Sequence, residues 1–136
     1  MPMFSKESFT QLTSCHIDLQ AIFFEVIKHV DCRITEGFRN EEDQERYFKN
    51  GKSKLEWPNS KHNANPSLAV DVYIFPIDMD NMKRFYWFGG YVLAVAQQLK
   101  DQGKITHSIR WGGDWSGKIN LEDQTFFDLV HFEIIE

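Results

Sequence analysis

Apolar residues recur at three- and four-residue steps from Ile17 to Val30, at Leu19, Ile22, Phe23, Val26, Ile27 and Val30. That period puts them on one stripe of an amphipathic helix packed on a core. A short strand is predicted over Cys32 to Glu36, with Gly37 turning the backbone before Phe38 and Arg39. A second, mostly polar helix starts at a cap on Asn40. Glu41, Glu42 and Asp43 fill its first turn, where negative charge suits the helix dipole, and Gly51 ends it. From Lys52 to Leu68 the chain is polar and irregular, with Pro58, Asn59, Asn63, Asn65 and Pro66 favouring turns. The run from Ala69 to Phe75 is β-branched and aromatic and stops at Pro76, as a buried strand does. A long helix follows from about Asp80 to Lys100, with Phe85, Phe88, Val92, Val95 and Leu99 at near-heptad spacing. Gly89 and Gly90 inside it imply close packing on a sheet. A short strand near Ile109, a turn-rich stretch from Gly112 to Gly117 and a last strand from Val130 to Ile135 complete the pattern.

With 136 residues, 42% hydrophobic and 15% aromatic, residues 1–136 are expected to form one domain with a substantial core. Twelve Phe and four Trp supply large apolar areas, each stabilising at roughly 25 cal/mol per Å² buried. No disulfide staple is needed, so Cys15 and Cys32 read as structural thiols. A formal charge of -5 and the lack of a Lys/Arg-rich face argue against a nucleic-acid partner. The first residues, with Lys6, Glu7 and several hydroxyls, do not read as a signal peptide. The most apolar stretch is interrupted by Glu25 and Lys28 and falls short of the ~20 residues that cross a bilayer, so no membrane insertion is expected.

A catalytic zinc commonly takes three protein ligands from His, Asp, Glu or Cys and leaves a fourth position for water. His62 ends a polar loop, Asp71 lies in an otherwise apolar strand, and His131 opens the last strand. Taken singly, each has a plain alternative: a surface histidine, a capping carboxylate, a hydrogen-bonded core histidine. Strand geometry joins them. Val70, Val72 and Ile74 share one face and Asp71 and Tyr73 the other; Val130, Phe132 and Ile134 share one face and His131 and Glu133 the other. If the two strands are neighbours, packing their apolar faces on the long helix aims Asp71 and His131 into one cleft. His62 would approach from its loop, and a metal would offset the cost of a buried carboxylate.

Ser60-Lys61-His62, Ala69-Val70-Asp71 and Asp128-Leu129-Val130-His131-Phe132-Glu133 resemble three signatures of the zinc D-Ala-D-Ala peptidases of the Van type and of the phage L-alanyl-D-glutamate endopeptidases. The segments Pro66 to Asp71 and Arg110-Trp111-Gly112-Gly113-Asp114-Trp115 are similar to ones in small phage endolysins of this group. Gly37-Phe38-Arg39, followed by Gln44, resembles the family's Gly-Tyr-Arg element. The likeness runs from Gly37 to Glu133. Two departures bear on substrate fit: eight residues separate His62 from Asp71, two more than in the Van-type pattern, and Phe38 replaces a tyrosine. A longer loop costs little in closure entropy, so the ligands can still converge.

The resemblance implies one zinc ion on His62, Asp71 and His131, with Asp128 as general base and Arg39 stabilising the oxyanion. It implies a substrate contact from Ser60, whose alternative is a turn-stabilising hydroxyl; Gln44 and Trp115 are further candidates to meet substrate, Trp115 with core or rim packing as its alternative. Glu133 and Asp114 are candidates to orient the ligating imidazoles or, equally, edge or turn carboxylates, and Trp111 is a candidate for the cleft lining or the core. His16, His29 and His107 match no signature and read as structural or exposed. The expected fold is α+β, of the Hedgehog/D-Ala-D-Ala peptidase type: a small, mainly antiparallel sheet with helices on one face and the zinc cleft on the other. The expected function is hydrolysis of an amide bond in peptidoglycan stem peptides by a phage endolysin cutting between L-Ala and D-Glu. The enzyme would be a monomer held in the host cytoplasm until a separate pore gives access to the wall. The alternatives are a D-Ala-D-Ala carboxypeptidase or dipeptidase, or a binding module that holds zinc without turnover.

Overall fold

The computed structural model describes residues 2–135. In chain order the elements are α1 (Lys6–Thr13), α2 (Ile17–Val26), β1 (Cys32–Glu36), α3 (Glu41–Lys49), β2 (Ala69–Ile74), α4 (Met82–Asp101), β3 (Ser108–Gly112) and β4 (Asp128–Ile135), with a 3-10 turn at Lys61–Asn63. The strands form one antiparallel sheet in the order β1-β2-β4-β3. The two strands expected to carry ligands are therefore central neighbours. This is the α+β architecture that the hydrophobic pattern predicts.

Val70, Val72 and Ile74 of β2 and Phe132 and Ile134 of β4 face a core closed by α2 and α4. Phe132 sits at its centre, edge-on to Phe23 of α2 at 5.5 Å and to Phe88 of α4 at 6.3 Å. Edge-to-face pairs at such distances add to the burial of the rings. Helix α4 comes closest to the sheet at Gly89, where a Cβ would collide with the Trp111 indole; at Gly90 the space is open. Cys15 and Cys32 are free and buried, and burial pushes both thiols up to about 12, which leaves them unreactive.

Three features depart from the expected pattern. Helix α2 ends at Val26 rather than Val30, and its last residues give way to turns before β1. Helix α1 is additional. Its Ser8 hydroxyl accepts from the Ile34 amide at 3.0 Å, its Gln11 side chain from Gly37 at 3.0 Å, and the following Ser14 hydroxyl from Phe38 at 2.9 Å. These side chains satisfy backbone groups around the outer strand β1, which would otherwise be an open edge. Helix α3, capped by Asn40 as predicted, borders the cleft instead of the apolar face.

Candidate active site

The register sets the site: Asp71 on β2 pairs directly with His131 on β4. The β4 strand does not keep period-two alternation. Trp111 pairs with Phe132, yet the next residue of β3, Gly112, pairs with Asp128. This break sends Leu129 fully into the core and leaves Val130, expected there on the apolar face, only partly buried, packed against the core and also lining the cleft. It also brings Asp128 and His131, three residues apart, to the same cleft. Gly112 permits it: a side chain there would meet the Asp128 carbonyl.

His62 arrives on the 3-10 turn. Ser60 caps the turn, its hydroxyl accepting from the His62 amide at 3.2 Å, while the Asn63 side chain accepts from the Ser60 amide at 3.1 Å. Behind it, His62 Nδ1 lies 2.8 Å from the Gly37 carbonyl. An imidazole that donates there presents Nε2 as a lone pair to the cleft. Nε2 is 3.3 Å from Asp71 Oδ1, and His131 Nδ1 is 3.3 Å from the same oxygen. The three ligand atoms lie within 4.8 Å of one another. Ligands bound at about 2.0–2.2 Å to one tetrahedral ion are themselves roughly 3.3–3.5 Å apart, so this donor set fits a single metal ion.

The charges suit the same end. Burial alone would raise the Asp71 carboxyl, but the adjoining His131 and His62 imidazoles hold it far below the usual carboxylate range. His131 is raised to about 9: burial disfavours its charge, and Asp71 and Glu133 more than compensate. Glu133 Oε1 accepts from His131 Nε2 at 2.8 Å and so orients its Nδ1 toward Asp71. Glu133 is anchored in turn by Arg110, at 2.6 Å, and Lys61, at 3.4 Å. Despite its burial, its carboxyl is lowered to about 2 by His131 and Arg110. Neither Arg110 nor Lys61 was assigned a role from sequence, since a cation is recognised as a positioning residue only once its partner is in place.

The cleft encloses about 620 Å³ and is lined by Arg39, Ser60, Trp115 and Asp128 besides the three ligands. Burial and the nearby Asp71 charge raise the Asp128 carboxyl, against His131, His62 and Arg39. Arg39 is 8% exposed. Its Nε donates to Glu36 at 2.6 Å and its Nη1 to Gln44 at 3.0 Å, with the guanidinium 4.5 Å from the Tyr47 ring. Trp115 packs 5.6 Å from the His131 ring and stacks on Phe126. Trp111 belongs to the core, its indole N–H donating to the Leu129 carbonyl at 2.8 Å.

Two expected roles are corrected. Gln44 is fully buried, and its amide is spent on protein partners: the oxygen accepts from Arg39 and Asn63, and the nitrogen donates to Ser53 and to the Leu55 carbonyl. It holds Arg39 from behind and cannot touch a substrate. Asp114 orients no imidazole. Its carboxylate accepts from Ser116 and from the Ile119 amide, and it organises the turn after β3.

A second group, His16, Asp18 and His107, also has metal-compatible spacing. Its groups are occupied otherwise: His16 caps α2, and Asp18 Oδ2 accepts from Thr106, from the His107 amide and from the His107 ring. These bonds tie α2 to the segment before β3, a structural role.

The fold and the cleft define a class: an α+β scaffold whose cleft gathers a two-histidine, one-aspartate group that could hold a metal ion, with a carboxylate beside it. The sequence model of the phage L-alanyl-D-glutamate peptidase family matches residues 2–135. The chain belongs to that family. Among solved structures, the crystal structure of the Serratia marcescens L-Ala D-Glu endopeptidase ChiX shares the fold, with a TM-score of 0.68 and 19% identity over 98% of this chain and 90% of that one. Comparison with curated proteins returns no match.

Proposed function

We propose that this cleft hydrolyses the amide bond between L-alanine and D-glutamate in peptidoglycan stem peptides, with one zinc ion held by His62 Nε2, Asp71 Oδ1 and His131 Nδ1. The observation that carries the reading is the convergence of those three atoms, from a loop and two paired strands, beside a carboxylate whose pKa is raised. Zinc bound there would supply Lewis acidity, polarising the scissile carbonyl and making an attacking water acidic near neutral pH. Asp128 would take a proton from the attacking water and return it to the leaving amine. A carboxylate raised by burial is a stronger base than one in water, and Asp128 lines the cleft with the ligands. Arg39, held by Glu36 and Gln44, keeps donor capacity for the oxyanion that develops in the transition state. Ser60 accepts from the His62 amide and can donate its own hydroxyl proton to substrate, while Trp115 forms an apolar wall beside His131. Glu133 and, behind it, Arg110 and Lys61 keep the His131 imidazole oriented.

Residues 1–136 are read as one catalytic domain working as a monomer. No described helix is long and apolar enough to cross a membrane, and action on the wall after release from the host cytoplasm through a separate pore is part of the same proposal. The test is digestion of purified murein with and without a chelator, with new termini identified by mass spectrometry. New D-glutamyl amino termini that vanish with chelator are expected. Release of terminal D-alanine alone would replace this reading with a D-Ala-D-Ala carboxypeptidase.

A further inference from the structure

The protein carries a formal charge of -5, yet its cleft is lined by five cations: Arg39, Lys52, Lys54, Lys61 and Arg110. Three are already engaged, Arg39 with Glu36 and both Lys61 and Arg110 with Glu133. Lys52 and Lys54 make no ion pair among the described residues and lie instead against aromatic rings. Lys54 is the better placed: its ammonium is 4.6 Å from the centroid of Phe126. Phe126 stacks on Trp115 at 6.0 Å with the rings nearly parallel, and Trp115 packs on the ligand His131 at 5.6 Å. One continuous aromatic wall thus leads from the metal-binding group to an unpaired ammonium.

The segment bearing Lys54 is fastened. Buried Gln44 donates to Ser53 Oγ at 3.0 Å and to the Leu55 carbonyl at 2.6 Å, on either side of Lys54, while its oxygen holds Arg39. The same amide therefore positions both the guanidinium at the reacting centre and the ammonium farther along the wall. A cation already held over a ring, on a fastened backbone, loses less freedom when it meets an anion.

The geometry points to Lys54 as the residue that reads the free carboxylate of the glutamyl residue flanking the scissile bond, an inference that rests on the proposed L-alanyl-D-glutamate specificity. A glutamyl residue acylated on its amine and extended through one carboxyl keeps the other carboxyl ionised. That charge lies beside the reacting carbonyl, not on it. Lys54 likewise sits along the wall from the ligands rather than among them.

The test uses the zinc-loaded full chain and two synthetic stem peptides, identical except that the free glutamyl carboxyl is a carboxylate in one and a carboxamide in the other. The wild type is expected to prefer the carboxylate peptide in kcat/KM by roughly tenfold, the scale of one charge-assisted hydrogen bond. Lys54→Met keeps the stem and removes the charge, and it should bring the preference close to one. Lys54→Arg should retain most of it. Zinc content and melting temperature serve as folding controls, because Lys54 is exposed and ties no element together. A preference that Lys54→Met leaves intact, or a wild type indifferent to the carboxylate, overturns the assignment to Lys54. Failure of the wild type to cleave either peptide at the L-alanyl-D-glutamyl bond would instead overturn the specificity on which it rests.

Discussion

At the scale of single residues, the proposed mechanism separates groups that would hold a metal from groups that would use it. Asp128 lines the cleft but lies outside the group of three ligands. Asp128→Ala should therefore keep full zinc content by atomic absorption while murein hydrolysis falls by roughly 10²–10⁴-fold, the range for losing a general base. His131→Ala should lose metal and activity together. Glu133→Gln tests the support behind the ligand. The His131 imidazole loses a charged partner at 2.8 Å, and zinc affinity measured by competition with a chromophoric chelator should drop about 10–100-fold. Wild-type affinity for Glu133→Gln would show that His131 is oriented by other means.

At the scale of elements, the decisive feature is the irregularity where β3 meets β4. Only this break puts Asp128 and His131 on one cleft, and Gly112 makes room for it. Gly112→Ala should lower stability by about 1–3 kcal/mol, as overpacking against fixed backbone does, read by urea denaturation. It should also lower kcat more than the stability loss explains, because Asp128 moves. The elements themselves were largely legible in sequence. Apolar periodicity located α2, α4 and β2, and the Asn40 cap located α3. Asp71 and His131 were found because polar residues in apolar strands need a partner. The register break was not legible, since Val130 reads as an ordinary core residue until its partner strand is known. Helix α1 was missed because it is short and mostly exposed, and its role, sealing β1 through side-chain oxygens, leaves no apolar stripe. Gln44 and Asp114 were misplaced for a related reason. Motif position shows that a residue lies near a site, while only the hydrogen-bond partners show which way it faces.

At the scale of the whole molecule, a metal bound as proposed would compete with protons for one cluster. His131 has a folded pKa of about 9, above its ordinary 6.5. In the metal-free protein its stabilising contribution is complete below 6.5 and is lost as pH rises through about 9. Glu133 has the opposite sign: lowered to about 2, it stabilises above its ordinary value of 4.5 and loses that contribution as pH falls through about 2. The melting temperature of metal-free protein should thus decline between pH 6.5 and 9. The zinc-loaded protein should not show that decline, since the metal replaces the proton on Nδ1. Binding zinc at pH 7 should release a proton, measurable by calorimetry in buffers of different ionisation enthalpy.

Whether the three side chains share one zinc ion is read from an anomalous difference map at the zinc edge, from crystals of the zinc-loaded protein. One strong peak is expected at about 2.0–2.2 Å from His62 Nε2, Asp71 Oδ1 and His131 Nδ1, with Asp128 outside bonding distance. A peak at His16, Asp18 and His107 with none in the cleft would contradict that expectation.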